Sequence, residues 1–251
     1  YGANGLVLMG TGSSADQALS GLVAADAHPE VRQVGMVDAR GGTAVHTGQL
    51  AIQHACDFEG ETFTVQANLM HHATVCDAMV GAYTTTTGDL ADRMMAALQA
   101  AESEGGDIRG RQSAALLVVE AEPSGRPWQD RVFDLRVDDH QEPLVELARL
   151  LSVARAYHHM NEGDEQVTRG NIDAAVEEYE RAEALLPGES EPIFWHAVTL
   201  ASVGRVDESL PLFAEAYRLR PEGRELVPRL APAQLLPEDP EMIARIVAAG
   251  R

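Results

Sequence analysis

The sequence predicts a layered α+β domain followed by an all-α region. Short alternating or apolar runs come in adjacent pairs, with helix-length segments between the pairs. That order suits antiparallel hairpins packed with helices rather than a doubly wound parallel sheet. Past residue 151 the character changes, and a Gly, aromatic, Ala, Pro pattern recurs at an offset of 34 residues. The expected domains are residues 1–151 and 152–251.

Each element has a local cause. Tyr1-Gly-Ala-Asn-Gly5 enters a helix almost without lead-in. Ser13 or Ser14 caps a second helix running to about Ala25, with Ala18, Leu19, Leu22 and Val23 on one face. Residues 31–37 alternate as a strand, 38–42 supply turn chemistry, and 43–47 form the hairpin partner, ending in His46 and Thr47. Residues 62–66 are a further β-rich run leading to Asn68, and helices over 72–83 and 90–103 follow, joined by a polar threonine run. The stretch 105–113 packs glycines with Asp107, Arg109, Arg111, Gln112 and Ser113, then turns at once into the apolar run 114–119. A polar loop delivering charged side chains to the mouth of a buried strand is where sites are often built. Residues 131–137 alternate again, end in Asp138-Asp139-His140, and a helix from Pro143 to about Tyr157 leaves the domain.

In the C-terminal region Gly170, Tyr179, Ala182 and Pro187 recur as Gly204, Phe213, Ala216 and Pro221. A helix–turn–helix unit of this period, with a small Ala where the helices approach and a Pro where the second stops, resembles a tetratricopeptide repeat. Two helical hairpins are expected, over 157–186 and 192–219, with Tyr179, Ala182, Phe213 and Ala216 at helix contacts and Trp195 at least half buried. Two units fall short of the roughly three needed for independent stability. The repeats are therefore expected to dock on the first domain or on a partner protein. Residues 226–236 are broken by proline, and 242–249 read as a capping helix.

Composition narrows the function classes. The chain has 251 residues, a net charge of −20, and nineteen basic residues that are all Arg. With no lysine, a lysine nucleophile, a Schiff base and a P-loop lysine are excluded. The acidic balance argues against nucleic acid and anionic membrane as partners. No apolar run approaches the roughly 18 residues of a membrane span. The opening residues show no signal-peptide pattern, and Cys56 and Cys76 are too few for a disulfide framework. The expectation is a reduced, cytoplasmic protein.

Several residues qualify as candidates, each with a plainer alternative. His71, His72, Cys76 and Asp77 form H-H-x-x-x-C-D, which on a helix places His72 and Cys76 on one face as paired metal ligands are. No second pair accompanies them, so no metal is expected and Cys76 reads as a small core residue. Asp107 and Arg109 either serve a site or simply pair with each other. His46 is either a site residue or a half-buried histidine. Ser113 lacks a G-x-S-x-G elbow and reads as a hydroxyl bonding the backbone.

Five segments in order carry a family resemblance: Arg32–Asp38, Ala44–Gly48, Val65–Asn68, Gly105–Ala114 and Asp134–His140. Together they are similar to a domain-of-unknown-function family grouped with the N-terminal-nucleophile (Ntn) hydrolases, over residues 1–151. The resemblance implies a four-layer αββα sandwich of two antiparallel sheets, and some members similarly carry an extra C-terminal domain. Two departures stand out. Ala67 occupies a position where the family usually has Gly. The family's opening strand, which would carry a Thr or Ser nucleophile, precedes the Tyr-Gly-x-x-Gly found here at Tyr1–Gly5.

The resemblance implies amide hydrolysis, in which an N-terminal Thr, Ser or Cys attacks a carbonyl with its own α-amine as base. In that reading Asn68 is an oxyanion or substrate donor. Asp107 and Arg109 orient or bind substrate, and Arg109 suits a carboxylate. His46, Thr47, Gln112 and Ser113 line the pocket. No metal or organic cofactor is called for, the substrate is a small molecule or peptide of unknown identity, and a homo-oligomer is left open. The alternative is a non-catalytic scaffold that holds a peptide or partner protein in its repeats. If strands are missing before Tyr1, Val34, Met36, Ala44 or residues 116–118 are expected to expose apolar surface.

Overall fold

The chain opens with two helices, α1 (Gly2–Gly10) and α2 (Ala15–Ala25), in the computed structural model, which describes residues 1–251. Ser14 caps α2 by accepting the Gln17 N–H at 3.1 Å, and the Gln17 side chain accepts the Ser14 N–H in return. Strands β1 (Gln33–Val37) and β2 (Thr43–Thr47) pair antiparallel, Gln33 opposite Thr47. One carboxylate closes their turn and starts α2: Asp38 accepts the N–H groups of Arg40 (2.8 Å), Gly42 (3.1 Å) and Ala15 (3.0 Å). Strands β3 (Cys56–Glu59) and β4 (Thr64–Ala67) form a second ladder, followed by α3 (Val75–Thr85) and α4 (Leu90–Ser103). Strands β5 (Ala114–Val119) and β6 (Arg131–Val137) form a third.

Period-two alternation sorts the side chains of the first two hairpins into layers. Met36 and Ala44 point to α2 and pack with Ala15, Ala18 and Leu19, while Val65 and Ala67 point to α3 and pack with Val75 and Cys76. The opposite faces of the two hairpins meet each other. Gln33 reaches Cys56 and Ala67 of the second ladder, Thr43 reaches Glu59 and Gly60, and the Gln66 amide lies where a Cβ on Gly35 would sit. Helices therefore cover both outer faces, and the layer between the ladders is polar.

The remaining helices are α5 (Pro143–Thr168), α6 (Ile172–Leu185), α7 (Ser190–Ser202), α8 (Val206–Leu219), α9 (Gly223–Leu230) and α10 (Pro240–Ala248). The chain divides into two compact units, Tyr1–Ala148 and Arg149–Arg251. In the second, Tyr179, Ala182, Phe213 and Ala216 are all buried, and Trp195 is more than half buried. Phe194, Phe213 and Tyr217 form the aromatic centre, over which Val227, Met242 and Ile246 of the last two helices close.

Several expectations are corrected. The strands make three two-stranded ladders instead of two broad sheets, because each strand bonds only its hairpin neighbour. β3 was not expected: its four residues, two of them acidic, are too short a run to show a period. α5 runs unbroken through Tyr157 to Thr168, so the helix from Pro143 and the first helix of the expected hairpin are one, with Gly163 against the Tyr179 ring. α9 forms despite Pro228, which forgoes only one helical hydrogen bond. Cys56 and Cys76 are not free thiols but a disulfide with Cα atoms 6.1 Å apart, joining β3 to α3. The ladder turns Cys56 to the α3 side, where the second residue of that helix waits. Among the residues expected to expose apolar surface, Met36, Ala44 and Leu116 are buried, while Leu117 is 57% exposed.

Candidate functional site

Gly105 takes φ +98°, and a Cβ there would stand 3.0 Å from the Cβ of His71. This close approach lets the polar loop after α4 dock on the segment that follows β4. The His71 N–H donates to the Gly106 carbonyl (3.0 Å), the Ile108 N–H donates to the Leu69 carbonyl (2.8 Å), and Met70 bridges Asp107. Leu69 itself sits at φ +61°, a left-handed conformation unusual for a bulky residue. Asn68 thus lies one residue from the docked loop. Its half-buried amide makes no side-chain hydrogen bond.

Gln33 ties the same end of the two ladders together. Its Nε2 donates to Thr47 Oγ1 (3.1 Å), the Cys56 carbonyl (3.1 Å) and the Ala67 carbonyl (3.0 Å). Thr47, Asn68 and Asp107 therefore belong to one end of the unit.

The loop walls a cleft of about 710 Å³ that Asp107, Arg109, Gln112 and Ser113 line together with Arg111 and Asp139. Asp107 and Arg109 form a bidentate pair, with Nε at 2.9 Å and Nη2 at 2.6 Å from the carboxylate oxygens. The hydrogen-bonded guanidinium holds the Asp107 carboxyl below the usual carboxylate range. Arg109 is 69% exposed and Asp107 27%, so the pair presents one face to solvent. Arg111 spans Glu102 of α4 and Glu142, both at 2.5 Å. The Gln112 carbonyl accepts the His140 N–H (2.9 Å), bringing Asp139 to the rim.

Thr47, Asn68 and His46 do not line this cleft: Thr47 is taken up by Gln33, and Asn68 stops two residues short of Met70, the segment's contribution to the wall. His46 alternates to the other face of β2, where Nε2 donates to the Pro29 carbonyl (2.8 Å) beside α2, and it lines a separate hollow with Asp16 and Glu59. Ser113 Oγ has no hydrogen-bonded base, and its expected bond to backbone is also missing. His71 and His72 are exposed, with ring centres 6.0 Å apart, and no three His, Cys, Asp or Glu side chains are placed to hold a metal ion. The sequence places Arg111 in the loop and Asp139 at the end of β6 but with no site role, and it does not single out Gln33. The signal for Gln33 is a polar residue on the inward phase of an alternating strand, and that for Arg111 its place in the charged loop.

The first unit is thus a mixed α+β body with a polar cleft walled by a glycine-rich loop. The chain belongs to the family of unknown function DUF1028, whose model matches residues 1–147. Among solved structures it is similar to the crystal structure of protein SPO2555 from Silicibacter pomeroyi, itself assigned to DUF1028. The two share 26% identity and a TM-score of 0.51 over 60% of this chain. The match spans 64% of the Silicibacter chain. No curated protein matches. No helix is long and apolar enough to cross a membrane.

Proposed function

We propose that the first unit is an Ntn-type hydrolase acting on a C–N bond, with the attacking nucleophile supplied from outside the residues of the cleft. The observation that carries the reading is the gathering of Thr47, Asn68 and the Asp107–Arg109 pair at one end of two stacked hairpins flanked by helices. Asn68 offers a free amide to a developing oxyanion. Arg109 keeps Nη1 outside its pair with Asp107 and can take a substrate carboxylate, while Asp107 fixes its orientation. Gln112 and Ser113 contribute unpaired polar groups to the wall. No residue of the cleft is itself an activated nucleophile. The test is turnover of a panel of acyl amides by the protein expressed from its complete gene. Asn68→Ala is expected to lower kcat by about 100-fold or more, and Arg109→Ala to raise KM for carboxylate-bearing substrates. Unchanged hydrolysis in both variants overturns the reading.

A second reading rests on the helical unit, whose 34-residue recurrence fits tetratricopeptide-like repeats acting as a protein-binding scaffold. A groove of about 530 Å³ runs past Tyr157, Asn161, Asp164 and Trp195 and has no Arg in its wall. Peptide binding that Asn161→Ala leaves untouched would count against that groove. The disulfide favours an oxidising compartment over the cytoplasm.

A further inference from the structure

The Cys56–Cys76 disulfide closes a covalent ring that contributes Met70 to the wall of the cleft. The ring runs along β3 and β4, through Asn68 and Leu69, and on to the second residue of α3, joining cysteines 20 residues apart. Cys56 stands opposite Ala67 in the ladder, and Gln33 holds the carbonyls of both. Two residues beyond Ala67 comes Leu69 at φ +61°. Such a conformation persists only where the surroundings over-determine it. The cleft loop is fastened to this ring by the backbone links His71 to Gly106, Ile108 to Leu69 and the Met70–Asp107 bridge, and at its start Thr74 Oγ1 donates to Glu104 (2.5 Å).

We propose that this disulfide is a redox-sensitive pin for the cleft. Oxidised, it holds Leu69 and Met70 where the 105–113 loop docks. Reduced, it releases the ring, Leu69 relaxes out of the left-handed region, and the loop loses its seat. The step is a two-electron exchange with a dithiol reductant. One thiolate attacks a sulfur of the pair and breaks the S–S bond. The reductant's second thiol then resolves the mixed disulfide, leaving two cysteine thiols and an oxidised reductant. Cys56 is partly exposed whereas Cys76 is buried, so the reductant approaches from the Cys56 side. Val65, Ala67 and Val75 still pack α3 against β4 after reduction, which keeps the loosening local. The functional meaning rests on reading this cleft as the site, but the pin itself is tested without substrate.

The experiment is hydrogen exchange followed by mass spectrometry on the whole chain, oxidised and after dithiothreitol. Peptides covering 69–75 and 105–111 are expected to exchange at least about tenfold faster when reduced. Peptides from α6 to α8 should stay unchanged, and the Cys56→Ser/Cys76→Ser variant should reproduce the pattern without reductant. Three results overturn the proposal: unchanged exchange on reduction, loss of protection throughout Tyr1–Ala148, or alkylation of both cysteines in the protein as purified. Reduction of the native chain decides the matter even if the double variant fails to fold.

Discussion

Asp107 titrates below a free carboxylate because the Arg109 guanidinium stabilises its charged form. A folded-state pKa that is depressed favours the folded form above the unfolded value of about 3.9. That contribution disappears as pH falls through the lower folded value. The pair is therefore intact at neutral pH and opens only in acid. In Arg109→Ala the Asp107 titration, followed by the carboxyl carbon shift in NMR, should move up toward the ordinary range. A titration that stays depressed would mean that the backbone N–H of Arg109, at 2.8 Å from the same carboxylate, is the larger cause. Gly48, next to Thr47, makes a sharper demand. A Cβ there would stand 2.2 Å from the Glu30 carbonyl oxygen, a backbone atom that cannot swing aside. Gly48→Ala should destabilise the unit by about 2–3 kcal/mol in urea unfolding. A loss within error would show that the Pro29–Val31 turn yields.

At the scale of elements, α5 and α6 meet through Gly163 and Tyr179. A Cβ on Gly163 would approach the Tyr179 ring to 3.0 Å. The ring cannot retreat freely: its hydroxyl donates to Asp164, accepts from Thr199 at 3.3 Å, and one face stacks on His196. Helix propensity alone makes Gly→Ala favourable by about 1 kcal/mol. Overpacking here costs about 1–3 kcal/mol. Gly163→Ala is expected to lower the urea midpoint, and a raised midpoint would show that the helices separate at little cost. The same contact explains what the sequence could and could not reveal. The repeat offset placed Tyr179 and Ala182 inside a helical pair, because size and spacing alone dictate that contact. It did not show that the helix from Pro143 and the first helix of the hairpin are one, because a repeat offset locates its own units and not their continuity with what precedes them. In the first unit the bounds of α4, β5 and β6 matched a helix-length segment, an apolar run and an alternating run. The disulfide, β3 and the Gln33 bridge did not, because they depend on pairing between segments distant in sequence. The cleft was legible as a loop of charged residues, whereas the exclusion of His46 depended on which face of β2 turns inward.

At the scale of the whole molecule, charge is the dominant unspent term. A net charge of −20 carried without a single lysine leaves long-range repulsion across the surface. Most of the ion pairs are short-range and exposed, such as Arg169–Glu165 and Arg218–Glu215. Exposed pairs of this kind contribute about 0–1 kcal/mol each. Added salt weakens both effects but not equally. The screening length falls from about 30 Å at 0.01 M to about 3 Å at 1 M. Repulsion between distant carboxylates is thereby abolished, while contacting pairs at 2.6 Å keep much of their geometry. Neutral salt should therefore raise the melting temperature. The measurement is a thermal scan at neutral pH in 0.01 M and about 0.5 M sodium chloride, with sodium sulfate omitted because it also strengthens apolar burial. A melting temperature that falls with sodium chloride would show that the arginine–carboxylate pairs outweigh the repulsion and hold this acidic chain together.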